Sequence, residues 1–167
     1  MNDALTSLDI KKMKEELACR KGRLMQEQLE EVKRTRAFGD LSENFEYKAA
    51  KQALNRNKGR IRYLEKMISS AKVIEDTSAE DEVGLFDRVT LFMPDDDETE
   101  VVQVVTTIRT DPLSGLISRE APLGRAILGR RAGDKVTVVM NDAFSYDVII
   151  RSIEKMSDDG SAPLLQY

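Results

Sequence analysis

Residues 47–71, YKAAKQALNRNKGRIRYLEKMISSA, decide the fold. Within them Tyr47, Ala50, Leu54, Asn57, Ile61, Leu64, Ile68 and Ala71 recur at alternating spacings of three and four, the seam of a helix that packs along another helix. Asn57 is the one polar member, and a buried Asn at such a position fixes register at some expense of stability. Upstream, residues 6–37 contain no proline and are rich in Glu, Lys, Arg, Leu and Met, so they read as helix as well. Ile10, Met13 and Leu17 form one apolar stripe there, and Met25, Leu29 and Val32 form a second, displaced one. Gly22 lies between the stripes and predicts a kink or break near Lys21-Gly22. The turn joining the two helical segments is too short for a parallel return, so they form an antiparallel hairpin. At about 1.5 Å per residue its second arm is roughly 35 to 40 Å long.

The tip of that hairpin is Gly39-Asp40-Leu41-Ser42-Glu43-Asn44-Phe45-Glu46-Tyr47. Asp40 and Glu43 fit a capping box, with Asp40 starting the second helix. A cap, however, does not require Asp40, Glu43 and Glu46 together with Asn44 in one turn, at the point farthest from any core. Two carboxylates on such a tip hold Mg²⁺ poorly alone, because the ion demands octahedral oxygen ligands and usually shares them with substrate phosphates. They can complete a site that another macromolecule half supplies. Donating ligands to the ion that activates the attacking water in two-metal phosphoryl transfer would switch on hydrolysis. Behind the tip, Lys48, Lys51, Arg56, Lys58, Arg60 and Arg62 follow one another with no acid between Glu46 and Glu65. Arg56/Arg60 and Lys58/Arg62 repel at i,i+4, so they call for partners. Two are open: Glu27, Glu30 and Glu31 on the first helix, or the phosphates of a nucleic acid.

Composition separates two domains. Residues 1–76 carry 17 Lys and Arg against 13 Asp and Glu, and residues 77–167 carry 9 against 17, a basic arm on an acidic body. The domains are therefore 1–76, the hairpin, and 77–167, with the tail from 156 loosely ordered. Beyond the acidic linker at 75–82 the pattern changes to short β-branched runs at 84–92, 100–108, 115–118, 135–140 and 145–153. A short helix over 122–129, with Pro at its first turn and Gly past its end, interrupts them. The fold class is α+β, an antiparallel coiled-coil hairpin followed by a small antiparallel sheet packed on one helix. Residues 94–98 read as a solvated hairpin loop, because they lack the spaced oxygens and the bidentate glutamate of a calcium loop. One cysteine, Cys19, allows no internal disulfide, and the absence of histidine excludes the usual zinc sites and histidine base chemistry. With no apolar run long enough for a bilayer and no signal peptide pattern, the protein is expected in the cytoplasm, without a membrane partner.

The tip, with Lys48-Ala49-Ala50-Lys51 after it, closely resembles the tip signature of the Gre transcript-cleavage factors of bacterial RNA polymerase. The likeness continues to Ala71-Lys72-Val73-Ile74 and resumes at Ile117-Ser118, at residues 121–129 and at Gly133-Asp134-Lys135-Val136. The resemblance implies a monomer whose coiled coil enters the polymerase secondary channel, while an FKBP-like domain without isomerase activity seats on the channel rim. It implies an accessory factor rather than an enzyme. Asp40 and Glu43 would ligate a shared Mg²⁺, with no cofactor of the chain's own, so that the polymerase cleaves backtracked RNA at the nascent 3′ end. It makes Ser42, Asn44, Glu46 and Tyr47 tip-shaping residues. Lys48, Lys51, Arg56, Lys58 and Arg60 become an RNA-facing basic patch, and Pro122, Leu123 and Gly124 a polymerase-docking segment. Phe38 and Phe45 depart from the family pattern and make the tip more hydrophobic, and Ala121 replaces a common serine in the C-terminal part. An alternative of the same shape is a channel-occupying regulator that inhibits the polymerase without promoting cleavage.

Overall fold

A computed structural model describes residues 4–39 and 43–165, which form two compact units. One unit comprises residues 10–71, and the other comprises residues 4–9 with the chain from Lys72 onward. The division thus falls earlier than the boundary expected after residue 76, and the first residues join the second unit. What ties them there is a parallel ribbon of β1 (Ala4–Leu5) and β2 (Lys72–Val73), extended by a 2.9 Å hydrogen bond from the Ile74 amide to the Leu5 carbonyl.

In the first unit, α1 (Ser7–Cys19) passes through a π-helical turn at Arg20–Leu24 into α2 (Met25–Arg36), and α3 (Phe45–Ser70) returns. Gly22 leaves helical geometry at φ −85° and ψ −108°, where the glycine predicted a kink. A π turn adds a residue and rotates the face that follows. The inward face of α2 accordingly runs through Met25, Gln28, Val32 and Thr35, and Leu29, expected in the stripe, is 48% exposed. On α3 the seam is where the heptad spacing puts it, with Leu54, Asn57, Ile61 and Leu64 buried. Cross-helix hydrogen bonds Asn44 to Thr35, Gln28 to Ala53, and Arg20 to Asn57 pair residues in opposite chain directions, so the hairpin is antiparallel. No helix among the described residues is long and apolar enough to cross a membrane.

The second unit is a five-stranded sheet in the order β5-β4-β3-β7-β6, formed by β3 (Arg88–Met93), β4 (Glu98–Val105), β5 (Leu116–Ser118), β6 (Lys135–Asn141) and β7 (Phe144–Glu154). It is mixed rather than wholly antiparallel, because β5 runs parallel to β4. The connection between them carries two short 3₁₀ turns, Thr107–Arg109 and Pro112–Ser114, and these bring the chain back to the start of the sheet edge. Residues 94–97 make the tight turn of the β3–β4 hairpin, with Asp97 at φ +53°. The core is built from Val89, Leu91, Val102, Val104, Val138 and Ile150, with Ile127 added by α4 (Pro122–Ile127).

The tail expected to be loose from Met156 is held. The Met156 amide donates to Asp87 Oδ1 at 3.0 Å, and the Leu165 amide donates to the Ile108 carbonyl at 2.6 Å. Its main anchor is Arg109, fully buried, whose guanidinium donates to Asp158 at 2.6 and 2.8 Å and to Asp9, with the Phe86 ring 5.0 Å away. A charge removed from water must be paired on several sides, and two carboxylates from opposite ends of the chain do this.

Candidate functional site at the hairpin tip

Gly39 ends the first arm at φ +117°, a left-handed conformation that glycine adopts without a Cβ clash. Five residues later Asn44 caps the second arm, its Oδ1 accepting from the Tyr47 amide at 2.9 Å. Its Nδ2 also donates to the Thr35 carbonyl at the end of α2, at 2.7 Å. One amide group thus starts α3 and ties it to α2, a pair of roles that an aspartate, acceptor only, could not fill. Thr35 is buried beneath it, with its hydroxyl donating to the Glu31 carbonyl at 2.8 Å.

This geometry corrects the expected capping box. The helix begins at Phe45 with Asn44 as its cap, so Asp40 does not start it. Asp40 and Ser42 themselves lie outside the described residues. Glu43 is exposed and, among the described residues, makes no hydrogen bond or ion pair, so the fold does not use its carboxylate. Glu46 is exposed as well, and lines an open groove together with Phe38, Glu43, Asn44 and Phe45. Tyr47 is half-buried at the head of the seam. On α2 the hydrogen bonds between Arg34 and Glu31, 2.5 and 2.9 Å, hold the guanidinium above its ordinary pKa and the carboxyl below its own.

Behind the tip the cations divide. Lys48, Lys51, Arg56 and Lys58 are exposed on α3, Lys48 with its Nζ 5.7 Å from the Phe45 ring and Lys51 5.9 Å from the Tyr47 ring. Among the described residues Lys51, Arg56, Lys58 and Arg62 form no ion pair. Arg60 is different, and its expected place in an RNA-facing patch is corrected. It is buried and donates to both oxygens of Glu16, at 2.9 and 3.0 Å. Glu16 also accepts from Arg20 Nε at 2.6 Å, while Asn57, 2% exposed, donates to the Arg20 carbonyl and accepts from its guanidinium, both at 3.2 Å. Burial pushes the Glu16 carboxyl up, but the bonds from Arg60 and Arg20 outweigh it and hold the pKa below its ordinary value. Among the described residues Glu27, Glu30 and Glu31 are not the partners of the α3 cations; Glu31 pairs with Arg34 on α2, and Glu27 with Arg23 of the π turn. The polar cluster around Glu16 and Arg20 is absent from the sequence expectations, although the i,i+4 spacing of the two residues is a signal for it.

The family model for the GreA/GreB N-terminal domain of transcription elongation factors matches residues 4–73, and the C-terminal model of the same family matches residues 78–155. This chain belongs to the GreA/GreB family. Transcription elongation factor GreA of Bacillus licheniformis is 42% identical over 135 residues, covering 80% of this chain and 85% of that protein. GreA of Thermotoga neapolitana is 40% identical over 134 residues, 80% of this chain and 86% of that one. The crystal structure of GreA factor homolog 1 (Gfh1) of Thermus thermophilus is 27% identical, covers 93% of this chain and all of that one, and has a TM-score of 0.43. In this GreA/GreB-family chain the segment Pro122-Leu123-Gly124 opens α4. Pro122 is exposed, Leu123 packs against the core, and Gly124 is buried where a Cβ would collide with the Ser118 carbonyl.

Proposed function

We propose that this GreA-like elongation factor binds bacterial RNA polymerase as a monomer, passes its hairpin through the secondary channel and stimulates cleavage of backtracked nascent RNA by the polymerase. The observation that carries this reading is the division of labour at the tip. Asn44 performs the structural task that an acid was expected to perform, and Glu43 stands exposed and unpaired among the described residues.

The donor chemistry fits a shared Mg²⁺. Carboxylate oxygens are its preferred protein ligands, and two of them leave positions for a partner's acids, RNA phosphate and water. When bound, the ion would supply Lewis-acid activation of water for attack. Asp40 and Glu43 donate the oxygens, Asn44 fixes the ends of the turn that carries them, and the exposed cations Lys48, Lys51, Arg56 and Lys58 attract the RNA backbone. Pro122 offers an exposed contact for docking. The chain itself is not the nuclease.

A cleavage assay on backtracked polymerase complexes tests the reading. Asp40→Ala or Glu43→Ala should lower stimulated cleavage by about 100-fold or more, the loss typical of removing a charge-stabilising group from a reacting centre, while competition binding to the polymerase stays nearly unchanged. Blocked nucleotide addition without new short RNA products would instead identify an inhibitory channel regulator.

A further inference from the structure

We propose that Phe45, with Phe38 beside it, is a stacking site for an unpaired nucleobase of the RNA that the tip meets. The inference rests on the functional reading above, in that the tip must reach RNA. Phe45 is 80% exposed and Phe38 57%, and both rings line one open groove of about 530 Å³ with Glu43, Asn44 and Glu46. Neither ring belongs to the buried seam of the described helices. Asn44 caps the helix, Thr35 fills the space beneath it, and the packed seam begins at Tyr47.

Each ring carries a cation, with the Arg34 guanidinium 5.1 Å from the Phe38 centroid and Lys48 Nζ 5.7 Å from the Phe45 centroid. A nucleotide matches that pattern, offering a π face to the ring and a phosphate to the cation beside it, and any base satisfies it because all have π faces. An apolar protein surface matches it poorly. To cover these two rings it would have to strip water from Glu43 and Glu46, which line the groove, and from Arg34 and Lys48, which lie beside the rings. The site also lies beside the carboxylate assigned to metal binding, so a stacked base would place its neighbouring phosphate within reach of Glu43.

The test uses full-length chain added to backtracked polymerase complexes whose extruded RNA carries 2-aminopurine. Wild type and Phe45→Trp should quench the fluorophore, whereas Phe45→Ala and Phe45→Leu should not. Cleavage by the Ala and Leu variants should fall by about 5- to 100-fold, the range for loss of one base–aromatic stack, with an unchanged melting temperature. Phe45→Leu behaving as wild type in both assays overturns the proposal in favour of an apolar protein contact, and absence of quenching by wild type overturns it outright. Glu43→Ala, run in parallel, separates the two readings. If it abolishes cleavage while Phe45→Leu does not alter it, stacking fails and the metal role stands. If quenching depends on Phe45 while Glu43→Ala cleaves normally, stacking stands and the metal role fails.

Discussion

The middle of the hairpin and its tip treat polar groups in opposite ways. Around the kink, Glu16, Arg20, Asn57 and Arg60 pair with one another across the helices, and among the described residues only Arg60 Nη1 of this cluster's buried side-chain atoms lacks a partner. At the tip a single amide, Asn44, does the structural work, and Glu43, Glu46, Phe38 and Phe45 are left facing solvent. Charge that the fold consumes and charge that it leaves free are thus separated along one helix pair. The contrast distinguishes Arg60 from Arg56 and Lys58, which a sequence scan treats alike.

Substitutions should break this contrast in a graded way. Arg60→Met leaves the partly buried Glu16 with Arg20 as its remaining partner, and should cost the hairpin about 1 to 3 kcal/mol in thermal melts, with much of that recovered when Glu16→Leu is added. Melts that do not change would mean the pair is a surface contact. Asn57→Leu removes the side-chain donor to the Arg20 carbonyl and the acceptor for the Arg20 guanidinium, so about 1 to 3 kcal/mol should be lost, with the helix register less well fixed. Acid should act on the same cluster. The depressed pKa of Glu16 adds stability above its ordinary value of 4.5, and that stability is lost as pH falls through the lower folded value. Melting temperature measured from pH 7 down to pH 3 should therefore fall more steeply for wild type than for Glu16→Gln, and equal slopes would remove Glu16 from the account. Smallest of all should be the effect of Glu43→Ala on stability, within about 0.5 kcal/mol, because nothing in the described fold leans on it.

Much of the architecture is legible in the residues because it rests on local rules. The heptad from Tyr47 places the buried face of α3, Gly22 places the kink, and the β-branched runs fall on the five strands of the sheet. What is not legible depends on distant partners. Leu29 leaves the core because a π turn upstream rotates α2, an effect that a fixed period of 3.6 does not contain. Arg109 joins Asp9, a hundred positions away in sequence, to Asp158, and so orders a tail whose composition reads as loose. The parallel pairing of β5 follows from a crossover built of 3₁₀ turns, which leave no periodic trace. At the tip the acids were apparent from their clustering, but the identity of the cap was not. Asp40, Glu43 and Asn44 are all good capping residues, and the Thr35 carbonyl that selects Asn44 belongs to the other arm.

The separation of consumed from free charge is tested most directly by the isosteric pair Asp40→Asn and Glu43→Gln, assayed for melting temperature and for cleavage of backtracked RNA on the same preparation. Stimulated cleavage should drop by about 100-fold or more while the melting temperature stays at the wild-type value. Cleavage that survives both substitutions, or that declines only in step with a falling melting temperature, would contradict the assignment of these carboxylates to the partner's chemistry.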